Sequence, residues 1–449
     1  MNKHRANRKK AAIWLWLLMV FLMLQGGGSK GNEMLTAEAA VSDQAALEHG
    51  GGNAVTPQQF GALADGIHDD GPALQKALES GNPVVLVSDL YLFSGVSVWD
   101  HNVSLNGNGH VLYCDGKGVE ICATLNDDPS SAAAIVTENK PYYGTYHRGY
   151  VSYGGSSPLT ENLGEVTVGY FHEYQAYLSD LTIIARNFDG QCGLELKRMC
   201  KSVVRNVRSI CEEGSDGEVG IHVHNCYQVR LEGCHAQNWT ASNTCDRGYG
   251  IEADGNDIVI TGCTAFGNKH DICICSGRNI FSTDIRVNDC KVGCVYDPNA
   301  YRADGSKKYQ ARFDIHGAGE RVFVNNLDIA VEAASPDTIF ASLRAPKAEL
   351  NGMTLTGDAG YVVFAELADS FTFTGLRMEN MDLYGGFRPE ESIRELRITD
   401  GVLNGFARMG PHTKVYLEGV SVRDQGKSAR GAGAKEISGV HPNNFSESQ

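Results

Sequence analysis

A short pattern restates itself between Gly220 and Cys275, and it limits what this chain can fold into more than any other feature. The stretch reads GIHVHNCYQVRLEGC, then GYGIEADGNDIVITGC after a loop, then HDICICSG after a turn. Each unit opens on an apolar-x-apolar segment, breaks at Gly, Asn or Asp, and resumes. Alternation with period two marks a strand, whose successive side chains take opposite faces. Ile221/Val223, Ile251/Ala253 and Ile272/Ile274 therefore share one face. His222/His224, Glu252/Asp254 and Cys273/Cys275 share the other.

The repeat runs further. Turn-forming residues precede a second strand at Asp180, Asn206, Gly233, Gly262, Asp289, Asn326, Gly352, Gly375, Asp400 and Gly419. By subtraction the spacings are 26, 27, 29, 27, 37, 26, 23, 25 and 19. Periods of roughly 20–50 residues signify repeat architectures. These units hold short strands and no convincing helix, which predicts an all-β, single-stranded parallel β-helix. In such a solenoid equivalent residues stack into ladders about 4.8 Å apart. Cys234, Cys263 and Cys290 follow their anchors directly and should form an inward ladder of reduced thiols.

Outward positions of the first strand in each coil then form columns. They carry Glu195/Lys197, His222/His224, Glu252/Asp254, Cys273/Cys275 and Asp314/His316, with His270 and Asp271 at the start of the fourth strand. Acids, histidines and a lysine gather on one strip, expected to face solvent. Matching positions elsewhere are blander: Thr167 and Gly169 before it, Phe340 and Ser342 after it.

Residues 1–39 read as an export signal. Lys3, Arg5, Arg8, Lys9 and Lys10 precede an apolar run from Ala11 to Leu24, and Ala37-Glu38-Ala39 offers a cleavage site. The run is too short to span a bilayer, so a secreted protein with no membrane partner is expected. The formal charge of the chain is −15. Removing 1–39 takes away six of 39 basic residues and two of 54 acids, leaving 33 − 52 = −19. That argues against nucleic acid as a partner. Residues 40–56 read as a linker, 57–423 as the solenoid and 424–449 as a polar tail. Residues 124–163 interrupt the repeat with Tyr143, Tyr146 and Arg148, side chains suited to stacking on and bonding to sugars. A second insertion, Tyr296 to Ala311, accounts for the 37-residue spacing. Both insertions are expected to flank the strip.

The segment 57–115 carries Phe60-Gly61-Ala62, Asp65-Gly66, Asp69-Asp70 and the amphipathic run Ala73–Leu78. This resembles the N-terminal motif of the pectate-lyase-like superfamily, shared with phage tail spikes. The resemblance implies a right-handed β-helix whose open end is covered by a short capping helix. Asp69, Asp70 and Pro72 sit where helix starts favour them, so the two acids are read as structural.

The strip suits polysaccharide chemistry of two kinds. For hydrolysis, Glu252 and Asp254 start about 6.5–7 Å apart on one strand, inside the inverting range of about 6.5–9.5 Å. Glu252 and Asp271 offer a second pairing. For β-elimination from a uronate, His222 or His224 supplies the base. Lys197, Arg198 or Arg312 holds the carboxylate, with Asp314 and His316 beside them. A calcium ion on Glu195, Glu252 and Asp254 would serve the same end. His270, Cys273 and Cys275 match no strong zinc spacing. Tyr249-Gly250-Ile251-Glu252-Ala253-Asp254 is similar to the Tyr-Gly-Phe-Asp-Pro-His catalytic coil of mannuronan C5-epimerases, with Glu252 in place of the Asp and Asp254 in place of the His. That resemblance implies proton transfer by Tyr249 and Glu252. Asp271-Ile272-Cys273-Ile274 faintly resembles a pectinase segment. The expectation is a secreted enzyme cleaving a polysaccharide, by elimination ahead of hydrolysis or epimerisation. A non-catalytic glycan-binding adhesin, trimeric if phage-like, is the alternative.

Overall fold

The computed structural model describes residues 53–124, 174–188, 192–212, 215, 217–240, 247–275, 282, 284–297, 310–316, 321–345, 347–364, 370–385, 393–410 and 413–423. The stretch read as an export signal, most of the stretch read as a linker, the Tyr-rich stretch with Tyr143, Tyr146 and Arg148, most of the second expected insertion and the expected tail lie outside the described residues.

Among the described residues, 32 strands form one continuous ladder in which every pairing is parallel. Each strand pairs with its equivalent one coil away: Cys192–Lys197 with Val219–Glu232, that strand with Tyr249–Asn256, then His270–Cys275, Ala311–His316 and Ile339–Leu343. This is the expected parallel β-helix. Its core is the stack of inward residues; Leu194, Ile221, Ile251, Ile272 and Phe313 are all fully buried in one apolar cluster.

The anchors explain the repeat. All ten turn residues adopt left-handed backbone, from φ 51° at Asp180 to φ 68° at Gly352. Gly, Asn and Asp tolerate that region best, which is why these types recur. Their amides bond along the stack, Asn206 N to Glu232 O and Gly233 N to Thr261 O among them. Side chains add a ladder: Asn206 Nδ2 donates to Asp180 Oδ1, and Asn326 Nδ2 to Asp289 Oδ1. The residue after each turn points inward. Leu181, Val207, Cys234, Cys263, Cys290, Leu327, Met353 and Leu376 are buried, and the three cysteines are free thiols.

The helix Gly71–Glu79 buries Ala73, Leu74, Ala77 and Leu78 on one face, and Leu74 and Leu78 join the solenoid core. Asp70 accepts bonds from the amides of Leu63, Ala64 and Tyr91, and Asp69 from those of Gly71, Phe93 and Ser94. Both carboxylates thus tie the cap to the first coils, the structural role expected. No helix among the described residues is long and apolar enough to cross a membrane.

Candidate functional site

The register reproduces the anticipated column. Glu120, Glu195, His222, Glu252, Cys273, Asp314 and Ser342 are cross-strand partners in successive coils. Beside them, Lys197 partners His224, and Cys275 partners His316. Cys192, Val219, Tyr249 and Cys273 form an apolar cluster separate from the core, which puts Tyr249 on the outer side with the column.

The strip is not solvent-facing as expected. His222, Glu252, Asp254 and Cys273 are buried, as is Asp314. Period two assigns a face but says nothing of what covers it. Charge at this depth demands partners, and the acids have them. His222 Nδ1 lies 3.4 Å from Glu195 Oε1, and its Nε2 lies 3.7 Å from both Glu252 Oε2 and Asp254 Oδ2. The ring stacks on His224 at 4.7 Å, and His224 Nδ1 is 3.1 Å from Glu195 Oε1. Arg247 Nη2 donates to Glu252 Oε2 at 2.5 Å. Asp254 accepts the amide of Asn225. Asp314 accepts from Arg344 at 2.6 Å, with His316 Nδ1 at 3.5 Å.

These contacts set the protonation states. Burial works against charge on His222, but Glu252, Asp254 and Glu195 overcome it and hold the imidazolium well above its usual range. Burial likewise opposes ionisation of Glu195, yet bonds from His222 and His224 keep its carboxyl well below the usual range. Held as the imidazolium in this way, His222, expected as a base, has no free nitrogen lone pair with which to accept a proton. His270 is the opposite case. Burial pushes it down to about 3, and the neighbouring Lys269, Arg312 and Arg344 assist against Asp314. Its Nδ1 is 2.9 Å from Ala311 O, and its ring lies 5.1 Å from that of Tyr249. Burial raises the Tyr249 hydroxyl far above its normal value, so it keeps its proton.

Two expected members turn away. Asp271 is fully buried and bonded to Asn268 Nδ2 at 2.8 Å, with Arg312 Nη1 3.5 Å away. Arg312 donates to the carbonyls of Asn268 and Lys269 at 2.8 and 2.7 Å. Asn268 in turn bonds the core residue Ala236. The pair occupies the coil corner, at the step where other coils place Gly193, Gly220 and Gly250. It is a buried structural pair, not an acid beside Glu252 or an arginine for substrate. Arg198 is also spent locally, at left-handed φ 58° with Nη1 3.3 Å from Ala123 O. Phe340 belongs to the core, whereas Ser342 continues the column.

Arg247, Lys269, Arg344 and Cys192 were not foreseen. Arg344 was accessible to reasoning: it lies two residues past Ser342, one coil beyond His316. Arg247 occupies no position of the repeat pattern, so the sequence does not mark it. The three carboxylates expected to hold calcium surround the His222 imidazolium, and Glu252 also pairs with Arg247. This is not the all-oxygen cage that calcium takes.

No protein-family model and no curated protein matches the sequence. Similar solved structures include the tailspike protein gp49 from Pseudomonas phage LKA1, at 14% identity over 82% of this chain and 79% of that one, TM-score 0.48. The A-module of Azotobacter vinelandii mannuronan C-5 epimerase AlgE4 is 13% identical over 83% and 97%, TM-score 0.43. Geobacillus virus E2 ORF18 is 11% identical over 88% of this chain, which spans only 66% of that protein, TM-score 0.44.

Proposed function

We propose that the chain cleaves a uronate-containing polysaccharide by β-elimination on the strip between Glu195 and His316. One observation carries this reading: the strip has an acidic floor and a basic rim. Glu195, Glu252, Asp254 and Asp314 keep 10, 6, 5 and 0% of their side-chain exposure. His224, Arg247, His316 and Arg344 keep 28, 33, 23 and 21%. A polymer approaching a chain of net charge −15 thus meets the guanidinium groups of Arg247 and Arg344 first at this place. An anionic glycan fits that potential better than a neutral one.

Tyr249 and His270 stand in the middle of these charges. Arg247 and Lys269 lie 6.0 and 5.9 Å from the Tyr249 ring, placed to neutralise the uronate carboxylate. Neutral His270 takes the proton α to that carboxyl. The C–H electron pair forms the double bond to the neighbouring carbon as its bond to the glycosidic oxygen breaks. Tyr249, still protonated, gives its proton to the leaving oxygen. The products are an unsaturated uronate and a new reducing end. Lys197 and His224 extend the basic rim along the polymer.

The test is incubation of the purified chain with uronate-containing and neutral polysaccharides, following unsaturated-uronate absorbance beside reducing ends. Both rise together on an acidic polymer if the reading is right. Reducing ends alone would replace it with hydrolysis by Glu252 and Asp254. Binding with no product would replace it with a glycan-binding module.

A further inference from the structure

We propose that Cys273, Cys275 and His316 form a zinc site on the outer face of the β-helix. The inference stands apart from the polysaccharide reading and rests on the backbone register. Cys273 and Cys275 are two residues apart on one strand and so share a face, and Cys275 is the direct cross-strand partner of His316 one coil on. The two sulfurs lie 3.3 Å apart. One donor atom from each of the three residues falls within 4.8 Å of the others.

That triangle has the size zinc needs. With Zn–S about 2.3 Å and Zn–N about 2.0 Å, the edges of a tetrahedral site are about 3.8 Å between sulfurs and about 3.5 Å from sulfur to nitrogen. Small side-chain rotations reach this from the positions found. The donor set is the soft one that selects zinc over calcium or magnesium. His316 Nδ1 is buried and makes no hydrogen bond, the kind of group that calls for a partner. Asp314 Oδ2 is 3.5 Å from the same nitrogen, so a cation held there would also lie near a carboxylate. Glu252 and Asp314 flank Cys273 in its column, and their charge favours a cation there. Three protein donors leave one tetrahedral position open. Cys275 and His316 are only half-buried, so an ion can reach the site. The third donor is His316, one coil on, and not His270 of the same strand.

Binding exchanges two thiol protons for the metal, so uptake releases protons and weakens as pH falls. The experiment uses the full chain, purified reduced and metal-free, titrated with Co²⁺ as a spectroscopic probe and then with Zn²⁺. The expected result is one equivalent of Co²⁺ with a sulfur-to-cobalt charge-transfer band and intense tetrahedral d–d bands, both erased by Zn²⁺. Cys273→Ala and Cys275→Ala should each weaken the charge-transfer band, and the double variant should abolish it with the circular dichroism spectrum unchanged. His316→Gln should lower affinity at least tenfold. The proposal is overturned if the bands persist in the double variant or vanish only in Cys192→Ala, which would move the ion to Cys192, Glu195 and His222. It is equally overturned if peptide mapping of the chain as isolated finds Cys273 and Cys275 joined as a disulfide.

Discussion

His222 and Glu195, in register one coil apart, hold Nδ1 and Oε1 within 3.4 Å of each other beneath the surface of the solenoid. The pair links stability to pH at both ends. Glu195 is depressed, so its contribution is present above the usual glutamate value of 4.5 and lost as pH falls through its folded value. His222 is raised, so its contribution is complete below 6.5 and lost as pH rises through its folded value. Thermal unfolding should therefore show a stability maximum between these values. Glu195→Gln should cost about 3–5 kcal/mol, the range for removing one partner of a buried ion pair, and should flatten the acid limb. An unchanged pH profile in that variant would contradict the pairing.

Arg312 belongs to the scaffold. Arg312→Ala strips the carbonyls of Asn268 and Lys269 of their donor and leaves Asp271 buried beside no cation. A loss of about 3–5 kcal/mol is expected by denaturant titration. Asp271→Asn should be milder near neutral pH, because burial already raises that carboxyl to about 7. Turnover in Asp271→Asn should stay close to wild type, whereas a catalytic acid would lose several orders of magnitude.

Gly250 lies at a close approach between two coils. A Cβ there would lie 2.5 Å from Asn268 Nδ2 and 2.7 Å from the Asp271 carbonyl oxygen. The second contact is backbone and cannot swing aside. Gly250→Ala should shift the Tyr249 strand, lower stability by about 1–3 kcal/mol and impair turnover with it. Gly262→Asn, by contrast, should be tolerated: φ there is 63°, and Asn already serves as the anchor at Asn206.

Added calcium should not stabilise the folded chain. The charges of Glu195, Glu252 and Asp254 are met by His222, His224 and Arg247. A ligand present at a hundredfold its Kd would add about 2.7 kcal/mol. A melting-temperature series in millimolar calcium that rises by several degrees would show that these carboxylates rearrange to take the ion.

The sequence spoke clearly where backbone geometry dictates residue type. Left-handed turns demand Gly, Asn or Asp, so Asp180 to Gly419 could be picked out, and with them the register that aligns Glu195, His222, Glu252 and Asp314. The inward cysteines followed from the same anchors. Depth was not legible, because alternation distinguishes two faces without saying which is covered. Alternation alone therefore makes His222 an exposed base, whereas the fold buries it beside three carboxylates. Alternation also fails at the start of these strands, where Asp271 and Arg312 carry outward-face parity yet are buried. His316 as a neighbour of Cys275 needed the exact pairing across an insertion of uncertain length.

The most direct test of the central claim is turnover of an acidic polysaccharide by wild type, Tyr249→Phe and His270→Gln, read as unsaturated-uronate absorbance. General acid and base groups contribute about 10²–10⁴-fold each. Wild type should generate the chromophore, and both variants should lose activity on that scale while keeping native circular dichroism. Wild-type rates in both variants would contradict the assignment of proton transfer to Tyr249 and His270, and with it the account of the strip as an elimination site.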